Sequence, residues 1–210
     1  MKLVLASKNQ KKIKEMNDIL SALGVEVCSQ AEAGVDLDVE ETGTTFEENS
    51  LLKAKAVMET SGLPAIADDS GLCVDALGGA PGVYSARYGG EGLDDAGRTR
   101  LLLENMRGQS PRTCRFVSVI TCCFPDGTVL TARGECGGTV AFAPMGDGGF
   151  GYDPVFFVPE LKKTFAQLSS EEKNSISHRG RALEVFKEKL EEYLKHSNFR
   201  VDPQGSIVNC

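Results

Sequence analysis

Two adjacent carboxylates followed by a hydroxyl, Asp68-Asp69-Ser70-Gly71, close a short apolar run at Pro64-Ala65-Ile66-Ala67. Acidic side chains at the tip of a buried strand are held by a rigid element yet reach solvent, which suits a hard cation or the activation of a water. Behind them, Gly78-Gly79-Ala80-Pro81-Gly82 forms a loop with little side-chain bulk, so backbone can approach a ligand closely. The plain alternative is a surface hairpin closed by an Asp-Asp-Ser-Gly turn. A second acidic segment, Asp36 to Gly43, leads into a helix with a capping box from Thr45 to Glu48. Its alternating carboxylates are either a solvated edge or a second arm of the same site. In the second case Glu40 or Glu41 returns to the end of the sheet that carries Asp69 and shares a cation with it.

Three further stretches suit an anionic, planar ligand. After a first apolar run (Lys2 to Ala6), Ser7-Lys8-Asn9-Gln10-Lys11-Lys12 precedes a helix marked by Ile13, Met16, Leu20 and Leu23 and stopped by Gly24. A hydroxyl, an amide and three lysines thus surround a helix N-terminus, where free N–H groups and the dipole favour phosphate. The glycines and the G-K-[ST] ending of a Walker loop are absent, and a solvated lysine cluster is the competing reading. In Asp147-Gly148-Gly149-Phe150-Gly151-Tyr152-Asp153, glycines on both sides of Phe150 leave its ring open to stack on a base, with Asp153 accepting from a ring N–H; a ring folded back on the core is the alternative. Lys173, His178 and Arg179 fall at the junction of two helices, where cationic donors could meet an anion or a base carbonyl, or simply meet water.

The elements that must position these residues alternate between strand and helix. Val25 to Ser29 reads as a second strand, the helix from Thr45 stops at Gly62, and Asp94 to Met106 has one apolar face. Cys114 to Phe124 and Thr128 to Arg133 form a hairpin about Asp126-Gly127, followed by a strand from Gly137 to Phe142 and another at Val155-Phe156-Phe157-Val158. Ser169 to Glu172 caps a helix, and Ser177 to Arg181 precedes another whose face is Leu183, Phe186, Leu190, Tyr193 and Leu194. Phe199 to Cys210 lacks periodicity and reads as a mobile tail.

Composition bounds the partners. A net charge of −7 over 210 residues disfavours a nucleic-acid or anionic-membrane footprint and leaves room for a small basic pocket. No apolar run reaches the length of a membrane span or signal peptide, which points to the cytoplasm. Seven scattered cysteines without a C-x-x-C pair read as buried thiols, and two histidines cannot build a histidine-rich zinc site. Oxygen ligands, and hence Mg²⁺ or Mn²⁺, are the expected metal chemistry.

Taken in order, SKNQKK at Ser7, EETGTTFEENS at Glu40, ADDSGLCVDALGGAPGVYSARY at Ala67, GGFGYDPVFF at Gly148 and EEKNSISHRGRAL at Glu171 resemble the inosine triphosphate pyrophosphatase (Ham1-like) family. The resemblance covers nearly the whole chain to about residue 195. It implies an α/β fold, an elongated mixed β-sheet flanked by helices with two lobes around a central nucleotide-binding cleft, so that 1–195 is one two-lobed domain and 196–210 a tail. It implies Mg²⁺-dependent hydrolysis of dITP, ITP and XTP to monophosphate and pyrophosphate by a homodimer, removing noncanonical purines from the nucleotide pool. Position by position, Ser7, Lys8, Asn9, Gln10, Lys11 and Lys12 would bind triphosphate. Glu40 and Asp69 would serve the metal, with Glu41 and Asp68 as neighbouring alternatives, and Asp69 would accept the proton. Ser70, Phe150, Gly151, Tyr152, Asp153, Lys173, His178 and Arg179 would surround the nucleotide. Two rivals are a Maf-type nucleotide pyrophosphatase acting on pyrimidines, which lacks the ordered FGYDP and SHR stretches, and a non-catalytic nucleotide-binding module, which would not need Asp69.

Overall fold

The computed structural model describes residues 1–21, 24–90, 92–196, 199–201 and 207–209, the last two stretches as backbone. Its main sheet has seven strands in the order β2-β1-β3-β4-β5-β6-β7. These are β1 (Lys2–Leu5), β2 (Glu26–Ser29), β3 (Ala65–Val74), β4 (Thr113–Cys123), β5 (Val129–Val140), β6 (Phe156–Val158) and β7 (Lys163–Thr164). β1 pairs in parallel with β2 and β3, and β6 pairs antiparallel with β5 and β7, so the sheet is mixed as expected. The helices are α1 (Gln10–Leu20), α2 (Phe46–Ser61), α3 (Asp95–Asn105), α4 (Ser170–Ile176) and α5 (His178–His196).

The chain divides into two compact units, each assembled from separate segments. The first comprises Met1–Asp69, Val119–Arg133 and Ala182–Cys210. Alternation along its strands sends successive side chains to opposite faces. Leu3, Leu5 and Ile66 join Met16 and Leu20 of α1 and Leu183, Phe186 and Leu190 of α5 in one cluster. Val4, Ala6, Ala65 and Ala67 join Ala54 and Val57 of α2 in another. Each fully buried Leu or Phe contributes roughly 1.5–3 kcal/mol to this packing. The second unit comprises Ser70–Ser118 and Gly134–Arg181. Its core gathers Leu72, Leu102, Met106, Phe116, Val140, Phe156 and Phe165.

Four sequence expectations are corrected. β3 does not stop at the carboxylates: it runs on through Asp68, Asp69, Ser70 and Gly71 to Val74, which removes the hairpin alternative. Asp68 and Asp69 are 1% and 5% exposed instead of reaching solvent. The two runs read as separate strands, Thr128 to Arg133 and Gly137 to Phe142, are one twelve-residue strand, because its glycines keep extended backbone. His178 and Arg179 do not precede the last helix but open it. Within the tail, β8 (Phe199–Val201) pairs antiparallel with β9 (Ile207–Asn209), an element the sequence reading lacked. Ser197, Asn198, 202–206 and Cys210 lie outside the described residues, as does Leu23 of the first helical pattern. Among the described residues no helix is long and apolar enough to cross a membrane.

Cys28, Cys73, Cys114, Cys122, Cys123 and Cys136 are buried and free. Burial, with Asp75 nearby, pushes the Cys114 thiol up to about 12, and burial raises Cys122 as well. Thiolate is the reactive form. Iodoacetamide at mildly alkaline pH should therefore leave all six unlabelled in the native protein and modify them in guanidinium, as read by peptide mass mapping. Prompt native labelling of Cys114 or Cys122 would contradict this.

Candidate active site

The acidic cluster of the first unit follows from strand alternation. Asp68 shares the parity of Ile66 and faces the α1 side, where Lys12 Nζ lies 2.9 Å from its Oδ2. Asp69 shares the parity of Ala65 and Ala67 and faces the α2 side, where Lys53 Nζ lies 3.0 Å from its Oδ1. Neighbouring carboxylates thus do different work, and Asp68 is neutralised by a half-buried lysine. The same Lys53 Nζ donates to Glu41 Oε1 at 2.5 Å and to the Asp68 carbonyl at 3.2 Å. Burial raises the Asp69 carboxyl; Lys53 pulls it down, and Glu41 pushes it further up. Burial works against the Lys53 charge, but Asp69 and Glu41 outweigh it and its pKa rises. Asp69 Oδ2 is buried with no hydrogen-bond partner among the described residues.

The two candidate glutamates differ in burial. Glu40 is exposed, whereas Glu41 is partly buried against Lys53. The loop that delivers Glu41 is pinned by Asn49, whose Oδ1 accepts the Gly43 N–H at 2.8 Å. A Cβ at residue 43 would come within 2.6 Å of that oxygen, so only glycine allows the approach. Asn49 and Lys53 are one helical turn apart on α2, in register with Val57. That polar continuation of an apolar stripe is the signal by which Lys53 is recognisable in the sequence.

Before α1 the turn is capped from within. Asn9 Oδ1 accepts from the backbone N–H of Lys11 and Lys12, and Ser7 Oγ accepts from Asn9 N–H. Lys8 pairs with Asp36 at 3.3 Å on the surface, while Gln10 and Lys11 are exposed. Ser7 to Lys12 are therefore together at one helix start, with Lys12 the member that reaches β3.

The second unit builds an aromatic and basic cluster. Asp153 Oδ2 accepts from Lys173 Nζ at 2.8 Å and from the Phe150 N–H at 2.9 Å, and this ion pair is buried. Asp153 thereby shapes the glycine loop. Gly149 sits at φ +71°, and a Cβ there would run into Asp153 Oδ2. Lys173 Nζ and Arg179 Cζ lie 4.8 and 5.7 Å from the Phe150 ring centroid. Arg179 Nη2 donates to Ser70 Oγ at 3.1 Å. The His178 ring stacks on Phe116 at 4.6 Å and 13°. Lys173, His178 and Arg179 are all buried, which excludes the solvated junction. Gly151 donates its N–H to Asp95, and buried Tyr152 donates its hydroxyl to the Ser85 carbonyl, so the Tyr152 side chain supports the loop from behind. Phe116 was not singled out in the sequence, because an aromatic inside an apolar strand reads as core.

Among the described residues no three His, Cys, Asp or Glu side chains form a metal cluster. Mg²⁺ does not need one, since one or two carboxylates, waters and substrate phosphates commonly complete its shell. The buried, unpartnered Oδ2 of Asp69 fits a hard cation.

The sequence profile of the Ham1 family matches residues 3–189. A dITP/XTP pyrophosphatase of Desulforamulus reducens is 50% identical over 198 residues, covering 93% of this chain and 98% of that protein. One from Haemophilus influenzae is 52% identical over 193 residues, covering 90% and 98%. The solved structure of the Staphylococcus aureus Ham1 protein superposes with a TM-score of 0.83 at 44% identity, covering 91% of this chain and 99% of that one. Nucleotide hydrolases of this kind generally need a divalent metal. With a profile matched along most of its length and relatives identical at half their positions, the chain belongs to the Ham1 family.

Proposed function

We propose that this chain hydrolyses dITP, ITP and XTP to the nucleoside monophosphate and pyrophosphate, as a cytoplasmic homodimer that uses Mg²⁺, with Mn²⁺ able to replace it. The observation that carries the reading is the Glu41–Lys53–Asp69 cluster with its unpartnered Asp69 oxygen. Asp69 and Glu41 would hold the metal, which supplies charge neutralisation on phosphate oxygens and a more acidic water. Asp69 takes the proton of the attacking water. Its raised carboxyl suits that task better than an ordinary surface aspartate would. Lys53 holds the two carboxylates in register and keeps their repulsion in check. Lys8, Lys11 and Lys12, with the polar groups of Ser7, Asn9 and Gln10, receive the triphosphate.

Base recognition is assigned to the second unit. Phe150 offers a ring face, Lys173 fixes it from the side, and His178 and Arg179 supply donors for a 6-oxo group. A site built to donate to an oxygen leaves the amino group of adenine badly paired, and such polar mismatch discriminates more strongly than an added methylene.

The test is pyrophosphate release from dITP, ITP, XTP, ATP, GTP and dTTP in parallel, with Mg²⁺ and with chelator. Strong release from the first three, abolished by chelator, is expected. Release from dTTP alone would place the chain with the pyrimidine-directed Maf type, and no release from any would revive a binding module.

A further inference from the structure

A pocket of about 480 Å³ opens on the second unit, lined by Arg100, Leu103, Glu104, Met106, Arg107, Gly108, Arg112 and Phe142, none of them a member of the acidic cluster or of the aromatic and basic cluster described above. Its size falls in the range of small-molecule sites. Its furniture is unusual for solvent-facing surface. Phe142 is 85% exposed, the largest exposure among the big apolar side chains described. One face of its ring is backed by the Arg112 guanidinium, with Cζ 4.2 Å from the centroid. Arg112 cannot swing away easily, because it donates to the carbonyls of Val140, Met106 and Ala141. The exposed ring is therefore a fixed platform and not a stray side chain.

Positive charge is arranged beside it. Arg100, Leu103, Glu104 and Arg107 follow the i, i+3, i+4, i+7 spacing that puts them on one side of α3 and the turn after it. Neither the Arg100 nor the Arg107 side chain has an ion-pair or hydrogen-bond partner among the described residues, so both guanidiniums are available to an anion. Glu104 is the one carboxylate of the lining and would accept from hydroxyl or N–H groups instead.

We propose that this pocket is a second nucleotide-binding site, taking a nucleoside mono- or diphosphate with its base on the open face of Phe142 and its phosphates on Arg100 and Arg107. A planar ring stacked on a cation-backed aromatic, next to a phosphate on unpaired arginines, satisfies every feature of the lining at once. A single platform accommodates one base, and the net charge of −7 works against a nucleic-acid strand. The ligand is thus a mononucleotide, either the product of the proposed reaction or a nucleotide the enzyme does not cleave.

The chain contains no tryptophan, so Phe142→Trp installs a lone fluorophore at the platform itself. Titration of this variant with ADP and with IMP should quench its emission saturably, and adding Arg100→Ala and Arg107→Ala should weaken the quench about tenfold or more, as expected for lost charge-assisted hydrogen bonds. Quenching by IMP alone would identify the product as occupant, and quenching by both a general nucleotide site. Absence of saturable quenching at millimolar nucleotide, or quenching unchanged by the arginine substitutions, would overturn the proposal. So would emission that depends on protein concentration and not on nucleotide, which would make this face a contact between copies. Pyrophosphate release from dITP, followed in the same variants, should stay within about twofold of the wild type. Failure of the second site is thereby distinguishable from failure of the pyrophosphatase reading.

Discussion

Asp69→Asn should lower turnover by about 10²–10⁴-fold, the range a positioned general base supplies, while nucleotide affinity stays within a few-fold. Asparagine keeps the shape and can still accept from Lys53, so the packing of β3 against α2 persists. What disappears is the proton acceptor and the charge on the buried oxygen that has no partner in the protein. The same substitution has a stability signature of unusual sign. Burial raises the Asp69 carboxyl above its ordinary range, so its ionisation opposes folding at any pH above the raised value, and that opposition fades as pH falls toward the ordinary range. Without metal, the Asn variant should melt no lower than wild type at neutral pH, and any advantage should shrink in acid. Pyrophosphate release, equilibrium nucleotide binding and thermal melts from neutral to mildly acidic pH test all three statements. Undiminished turnover would remove Asp69 from the chemistry, and a large fall in melting temperature would mean its charge is structural.

Lys173→Ala should be damaging for the opposite reason. Its ammonium and the Asp153 carboxylate form a pair with both side chains nearly buried, and removing one member strands the other. Losses of about 3–5 kcal/mol are typical of that situation. For a chain of this size that corresponds to a fall of roughly 6–20 °C in melting temperature. The KM for dITP should rise as well, because Asp153 holds the Phe150 N–H and Lys173 lies beside the ring. Pairing Lys173→Met with Asp153→Asn should restore much of the stability by removing both charges, without restoring KM. A stable Lys173→Ala protein with normal KM would show that the pair neither shapes the loop nor serves the base.

The helix ends were legible because capping chemistry is local. The boxes at Thr45–Glu48 and Ser169–Glu172 and the left-handed Gly62 are all where the sequence puts them. The period-two parity that separates Asp68 from Asp69 was also available in principle. It was hidden by reading the strand as ending at the first carboxylate, a natural error when charge is taken to mean solvent. β3 tolerates those charges because Lys12 and Lys53, from helices distant in sequence, neutralise them. Such partners are invisible to any local window. Nor was the different burial of Glu40 and Glu41 legible, since it depends on the loop phase that the Asn49–Gly43 contact sets. His178 and Arg179 were legible as residue types but not in their burial, since the aromatic neighbours Phe116 and Phe165 come from other segments.

The interleaving of the first unit has a consequence for how the chain is made. Leu3 and Leu5, made long before the last members of their cluster, complete it only with Ile120, Phe124, Leu183, Phe186 and Leu190. Until α5 has emerged, the face of β1 that carries Leu3 and Leu5 has only α1 and Ile66 to cover it from the N-terminal part of the chain. N-terminal-first folding during synthesis, the usual route for consecutive domains, is closed to this unit. Segment 70–118 and segment 134–181 also lie inside its sequence span, so all of the second unit is synthesised before the first can close. A nascent chain arrested before about residue 180 should therefore remain protease-sensitive at its N-terminus, with the earliest strand waiting for the last helix.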